Sequence, residues 1–245
     1  MGFFSKHSKP KPPIDLSVLK ADIHSHFIPG IDDGVNSIEE SLSLIREMKQ
    51  MGYQKLITTP HIQHDFFKNT PEIILKGLDE LKAAVHEAEI DIEIEAAAEY
   101  LIDEGFEYKL KNEKLLTFGD NFVLIELSYY MPYPNLPTVL FNLQLEGYNI
   151  VLAHPERYSY WFNQFDKFEE LKDRGMLLQL NVNSLGGYYD TAVRKMAEQL
   201  VKLKFYDLVG SDMHNNNYLE GLKVAVQTKS FELLLSTNTL VNNKL

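Results

Sequence analysis

Seven short apolar runs recur along the chain, and several are separated by stretches whose apolar residues return every three or four positions. The runs are LKADIHSH, KLITTPH, IEIEAAAEY, NFVLIEL, YNIVLAHPE, LLQLNVNS and YDLVGSDMH. Strand and helix patterns in alternation predict βα units and a parallel sheet. The clearest helix signal lies over 37–51. There Ser37 and Glu40 form a capping box, Ile38, Leu42, Ile45 and Met48 share a face, and Gly52 ends the run. Thr70-Pro71 opens a second helix, with Leu75, Leu78, Leu81 and Val85 as its expected buried stripe. Further helices are expected over 137–146, 166–174, 190–204 and part of the C-terminal segment. The stretch SYYMPYPNLP, 128–137, carries three prolines and reads as a shaped loop after the fourth strand.

A length of 245 residues suits one domain and matches a closed α/β barrel. Residues 1–19, rich in Lys and Pro, read as a flexible tail, and 20–245 as a single barrel domain. Lys6 stands where a myristoylation signal wants Ser or Thr, so Gly2 is not read as lipidated. The chain has no cysteine, which excludes thiolate metal sites and phosphatases that attack through a thiol. A formal charge of -11 argues against non-specific binding to nucleic acid or to anionic membranes. No apolar run approaches a membrane span and no signal sequence is evident, so a cytoplasmic location is expected.

The polar residues change the picture from fold to chemistry. His24 and His26 alternate along the first run, so they project to one face. Catalytic residues of a parallel barrel collect at the C-terminal ends of its strands. Six of the seven runs end there in a metal-capable residue: His24 and His26, His61, Glu99, Glu126, His154, then Asp212 and His214. The sixth ends in Asn181 and Asn183. Each alone could be an ordinary polar residue at a strand end, but five of the eight histidines sit at this one end. So many mixed nitrogen and oxygen donors exceed the roughly three protein ligands of one catalytic zinc, and they predict two or three divalent transition-metal ions. Imidazole with carboxylate suits manganese, iron or zinc better than calcium, and the donor set alone does not choose among the three. Such a cluster activates water and clamps the oxygens of an in-line displacement, which suits phosphoester hydrolysis.

DIHSH, TTPH, AAAEY, IEL, AHPERY and GSDMH, in this order from Asp22 to His214, resemble the polymerase and histidinol phosphatase (PHP) superfamily. DIHSH, DDG, EES, TPH and AHPERY together resemble more closely its bacterial capsule-type protein-tyrosine phosphatases. The resemblance implies a distorted (β/α)7 barrel and a trinuclear metal centre. It also implies a phosphotyrosine protein as substrate, in particular a tyrosine kinase of capsule or exopolysaccharide synthesis. Carried onto this chain, it makes His24, His26, Asp33, His61, Glu99, Glu126, His154, Asp212 and His214 the ligands, with Glu99 bridging. It makes Arg157 the phosphate-binding group. Arg157, Glu99 and His214 are the residues expected to carry the reaction, in which a metal-bridging hydroxide attacks phosphorus. A second arginine shortly after the last histidine is a family feature that NNNYLEG lacks, leaving Asn215, Asn216, Asn217 or another residue to take its role. Asp32 reads as a turn former, His64 as a loop residue, His86 as a surface residue and His7 as part of the tail. Tyr129 to Tyr133 could form an aromatic wall for the substrate ring. Competing readings are a histidinol-phosphate phosphatase, a PHP-type nuclease, and a kinase-binding assembly partner with structural metals.

Overall fold

The computed structural model describes residues 14–245. Residues 1–13, with Gly2, Lys6 and His7, lie outside the described residues. The expected tail is corrected at its end: Leu16 and Leu19 are buried, and the Leu16 N–H donates to the Met51 carbonyl at 2.6 Å. Two leucines in this short stretch give it apolar area enough to stay on the core.

The elements alternate as the pattern predicts. β1 (Ala21–Asp22) leads to α1 (Ile38–Gln50), then β2 (Lys55–Thr58), β3 (His61–Ile62) and α2 (Pro71–Glu87). β4 (Glu93–Ala96), β5 (Glu99–Leu101) and α3 (Glu104–Asn112) follow, then β6 (Phe122–Glu126) and α4 (Leu136–Leu145). The chain continues through β7 (Asn149–Ala153), α5 (Phe165–Asp173), β8 (Leu177–Asn181), α6 (Thr191–Lys202) and β9 (Leu208–Gly210) to α7 (Asn216–Ala225) and α8 (Lys229–Thr237). Two expected strands are each broken in two. In the second run Pro60 has no N–H to give a ladder, so β2 and β3 stop on either side of Thr59-Pro60. The third run breaks at Ala97-Ala98 in step with it.

All strand pairs are parallel, in sheets of order β1-β2-β4 and β3-β5-β6-β7-β8-β9. The first and last runs meet through a single parallel bridge, Ser25 to Met213, so the pairings come round into a distorted α/β barrel. Near that seam, Asn242 reaches both runs: its Nδ2 donates to the carbonyls of Ala21 (3.0 Å) and Val209 (2.8 Å), and its Oδ1 accepts from the Val209 N–H.

Alternation along the strands sorts the side chains. Val123, Ile125, Ile150, Leu152, Leu178 and Leu180 join the core shared with the helices, whereas Ile57, Leu124, Val151 and Leu208 pack together in a second, smaller cluster. Glu126 lies two residues beyond Leu124, and Gln179 and Asn181 lie two and four beyond Leu177, which packs against the smaller cluster. The same period that fills the barrel therefore aims polar groups into its mouth. Sequence expectation and structure differ in two helix faces. α1 buries Ser41 and Leu44 with Ile45 and Met48, leaving Ile38 and Leu42 half-buried, and α2 buries Ile74 while Leu75 is exposed. α3 was not expected; only Phe106 and Leu110 of its nine residues are buried, and Asp103 caps it through the Phe106 N–H.

Candidate metal centre

All nine predicted donors converge at the C-terminal ends of the strands, in four overlapping groups: His26, Asp33, His61 and His214; His24, Glu99 and His154; His24, His26 and Asp212; and His61, Glu99 and Glu126. Every member except Asp33 is buried. Glu99 lies between groups. Its Oε1 is 3.0 Å from His154 Nε2, and its Oε2 is 3.1 Å from both His24 Nε2 and His61 Nδ1. Asp212 Oδ1 lies 3.3 Å from His24 Nε2 and 3.4 Å from His26 Nε2, while Asp33 Oδ1 lies 3.3 Å from His214 Nε2 and 3.5 Å from His61 Nε2.

Two of these residues leave the regular backbone. His154 (φ 34°) and Asp212 (φ 52°) both adopt left-handed conformations just past their strands. Such conformations cost on the order of 1–3 kcal/mol each and gather at functional sites. Here they turn the two side chains toward Glu99 and the histidines instead of continuing the strand. Gly34 belongs to the same construction: a Cβ on it would lie 2.4 Å from the His26 carbonyl, so the DDG turn needs glycine to fold against the first run.

Groups outside the donor set orient the imidazoles. His26 Nδ1 meets Asp32 Oδ2 at 2.7 Å, His24 Nδ1 meets Gln179 Oε1 at 2.9 Å, and His214 Nδ1 meets the Asp212 carbonyl at 2.8 Å. With those nitrogens as donors, the Nε2 lone pairs of all three face the cluster. Asp32 is thus more than the expected turn former: it also accepts from the backbone N–H of His61 and Gly34. Gln63 Nε2 holds Glu126 Oε1 at 2.8 Å.

The residues fit divalent ions on three counts. The buried Nε2 of His26 and Nδ1 of His154 have no hydrogen-bond partner. Donors bound at about 2.1 Å to one ion sit roughly 3.0–3.4 Å apart, and most of the contacts above fall there. Four carboxylates face one another with Arg157 as the single guanidinium against them, an imbalance that buried charges tolerate when they coordinate cations. Burial alone would raise the Glu99 carboxyl, but His24 and His61 outweigh it and hold it well below the usual range. Burial is likewise overcome at Asp212, by His24 and His214. Burial and the adjacent Arg157 push His154 down, whereas at His24, His26 and His61 burial is outweighed by the facing carboxylates, which raise them.

Arg157 does not pair with its neighbour Glu156. Glu156 is buried, accepting from the Asn181 N–H (3.0 Å), Ser184 Oγ (2.7 Å) and the Tyr206 hydroxyl (2.9 Å), and burial raises its carboxyl to about 7. Arg157 lies between two rings, 4.6 Å from the Tyr129 centroid and 4.2 Å from that of Tyr189, with Nη1 3.2 Å from Asp212 Oδ2. The same oxygen accepts from Asn181 Nδ2 (2.7 Å) and the Tyr189 hydroxyl (3.2 Å). Asp212 therefore gives one oxygen to the histidines and the other to this triad. Sequence reasoning missed Tyr189, which follows a short helical turn without any periodic signal. Gln179 and Asn181 had a signal, two polar residues at alternating positions of an apolar strand.

Above the cluster opens a cavity of about 430 Å³ lined by Phe66, Phe67, Tyr129, Tyr130, Arg157 and Tyr218 among others. Three of its rings cover histidines: Phe67 on His61 (5.4 Å between centroids), Tyr129 on His154 (5.8 Å) and Tyr218 on His214 (4.7 Å). The expected aromatic wall is partly corrected. Tyr129 stacks on His154 inside the cavity, whereas Tyr130, 93% exposed, stands at its outer edge and Tyr133 turns away, donating to Glu107 at 2.6 Å. Asn215 caps α7 through the Asn217 N–H, Asn216 and Asn217 are exposed, and none of the three lines the cavity; among the described residues Arg157 is the only arginine or lysine that does. His64 and His86 are exposed, as expected.

Residues 20–220 match the family model for capsular polysaccharide synthesis, CpsB/CapC. The chain belongs to the CpsB/CapC family. It is 29% identical over 199 residues to the tyrosine-protein phosphatase YwqE of Bacillus subtilis, covering 79% of this chain and 77% of that one. It is 32% identical over 203 residues to the tyrosine-protein phosphatase CpsB of Streptococcus agalactiae, covering 79% and 82%. A solved structure from a study of YwqE of Bacillus subtilis and CpsB of Streptococcus pneumoniae, described as metal-dependent tyrosine phosphatases, superimposes with a TM-score of 0.77 at 27% identity, over 88% of this chain and 90% of that one. An amidohydrolase from Mycoplasma synoviae shares the fold at a TM-score of 0.51 and 12% identity. The family match spans all nine donors and Arg157. Among the described residues, no helix is long and apolar enough to cross a membrane.

Proposed function

We propose that this CpsB/CapC protein is a metal-dependent protein-tyrosine phosphatase of capsule or exopolysaccharide synthesis. Its barrel domain takes in Leu16 and Leu19 and runs on to residue 245, and its substrate is the phosphotyrosine of a bacterial tyrosine kinase. The observation that carries the reading is the nine-donor cluster beneath an aromatic cavity with a single arginine at its wall. The named relatives, both tyrosine-protein phosphatases, support the substrate class.

His24, His26, Asp33, His61, Glu99, Glu126, His154, Asp212 and His214 would hold two or three ions, manganese by preference, with Glu99 shared between them. Such ions supply Lewis acidity toward phosphoryl oxygens and bring the pKa of water toward neutrality. Arg157 keeps part of its five-donor fork for the phosphate while Nη1 stays on Asp212. The rings of Phe67, Tyr129 and Tyr218 exclude water around the histidines and offer faces to a phenyl group. A departing phenolate, whose conjugate acid has a pKa of about 10, needs less protonation than an alkoxide. Among the described residues no cysteine stands near, and the sequence holds none, so no thiol ester of phosphate enters the reaction. The test is to compare turnover of a phosphotyrosine peptide with that of histidinol phosphate by the manganese-loaded protein. Preference for the peptide is expected; preference for histidinol phosphate would move the protein to small-molecule hydrolysis.

A further inference from the structure

The cavity has an inner wall and an outer rim with different surroundings. The inner rings are each stacked on a histidine, so packing accounts for them. Phe66 and Tyr130 are 79% and 93% exposed, and Met131 beside Tyr130 is 63% exposed. They sit on separate loops, one between β3 and α2 and the other between β6 and α4, yet Phe66 and Tyr130 line the same cavity. A phenylalanine left in water forgoes roughly 1.5–3 kcal/mol of burial, and exposed apolar groups gathered at one opening mark interaction sites.

Both loops are anchored although their tips stand free. Gln63 N–H donates to the Phe67 carbonyl at 2.9 Å, and Asn69 Nδ2 ties the first loop to Ile31 and His61. In the second loop the Tyr130 N–H donates to Ser128 Oγ, and the Tyr160 hydroxyl holds the Ser128 carbonyl at 2.9 Å. The rim is therefore presented in a fixed place, which lowers the ordering cost of docking on it.

We propose that Phe66 and Tyr130, with Met131, receive apolar side chains flanking the phosphotyrosine of a protein substrate; this rests on the phosphatase reading above. The phosphate must reach Arg157 and the donor cluster at the floor, so the polypeptide bearing it crosses this rim. A small phosphate ester would pass inside it without touching the rim. The rim thus selects protein-borne phosphotyrosine, and within that class sequences with aromatic or aliphatic neighbours.

The test uses the manganese-loaded full chain and its F66S/Y130S double variant. Three probes are compared: p-nitrophenyl phosphate, a phosphotyrosine peptide with leucine and phenylalanine flanks, and the same peptide with glycine and serine flanks. The proposal expects the double variant to raise KM for the apolar-flanked peptide about tenfold at constant kcat. Kinetics on p-nitrophenyl phosphate and metal content should not change, and the two peptides should become equivalent. Unchanged KM for the apolar-flanked peptide overturns the proposal, as does an equal loss on all three probes, which would place these side chains in the support of the site. A shift from dimer to monomer in the variant with unchanged peptide KM would assign the rim to a second copy of the chain and also overturn it. A wild-type protein inactive on both peptides and on p-nitrophenyl phosphate would instead reject the phosphatase reading itself.

Discussion

Asp212 divides its two oxygens between the histidines and the group formed by Arg157, Asn181 and Tyr189, so one carboxylate links the proposed phosphate-binding arginine to the donor cluster. Two donors remain on Asp212 when Arg157 is removed, so Arg157→Ala should keep its metals. It should lose about 30- to 1000-fold in kcat/KM, the equivalent of roughly 2–4 kcal/mol of transition-state binding. Arg157→Lys should recover only part, since an ammonium lacks the fork and stacks less well between Tyr129 and Tyr189. Phosphotyrosine-peptide kinetics with metal analysis on both variants check this; near-wild-type kinetics in Arg157→Ala would reject the clamp. Asp32→Ala addresses orientation. It frees His26 Nδ1 and the Gly34 turn, and should weaken metal binding about 10- to 100-fold in a folded protein, read by metal titration and circular dichroism. An unaltered metal affinity would reduce Asp32 to a turn former. The donors were legible because histidines and carboxylates at strand ends stand out against apolar runs and match a family motif in order. Tyr189 was not, because a tyrosine in a loop announces nothing until its ring is found against a guanidinium.

At the scale of elements, the alternation of strands and helices was readable except at α3, which buries only Phe106 and Leu110, while details settled by partners were not. The stripe of α1 was misplaced because Ser41 takes a buried position by donating to the Phe27 carbonyl at 2.8 Å, a satisfaction no hydropathy pattern displays. On α2, Ile73, Ile74 and Leu75 are all apolar, so periodicity alone could not say which one faces inward. What joins the first and last runs was equally hidden. The first and last runs share one bridge, and Asn242, far along the chain, supplies hydrogen bonds across the seam. Asn242→Ala leaves two carbonyls and an N–H without that partner in a buried place, which should cost about 2–4 kcal/mol. For a chain of this size that is a fall of about 5–10 °C in Tm, measurable by scanning calorimetry. A shift under about 1 °C would mean the other contacts across the seam, the bridge and the Ser211–Asp22 hydrogen bonds, hold it without Asn242.

Across the whole molecule, a chain of net charge -11 places four carboxylates and five histidines at one end of a barrel, with one arginine beside them. That concentration of buried negative groups is stable and useful when cations occupy it, and it is the reason an acidic protein can attract a phosphate ester. Composition was informative here chiefly through the missing cysteine, which excludes a thiolate nucleophile. What the whole sequence could not disclose is which surface meets the substrate, because Phe66 and Tyr130 become a rim only when two loops from different strands are brought to one opening. The central claim joins the cluster to the reaction, and stepwise reloading tests it most directly. The protein is stripped with chelator, titrated with manganese, and assayed for bound ions and phosphotyrosine-peptide turnover on the same samples, with a thiol-alkylated control alongside. The account predicts no turnover in the stripped protein, recovery that saturates at two or three ions per chain, and no effect of alkylation. Full turnover in the stripped protein, or active protein holding well under one ion per chain, would contradict it.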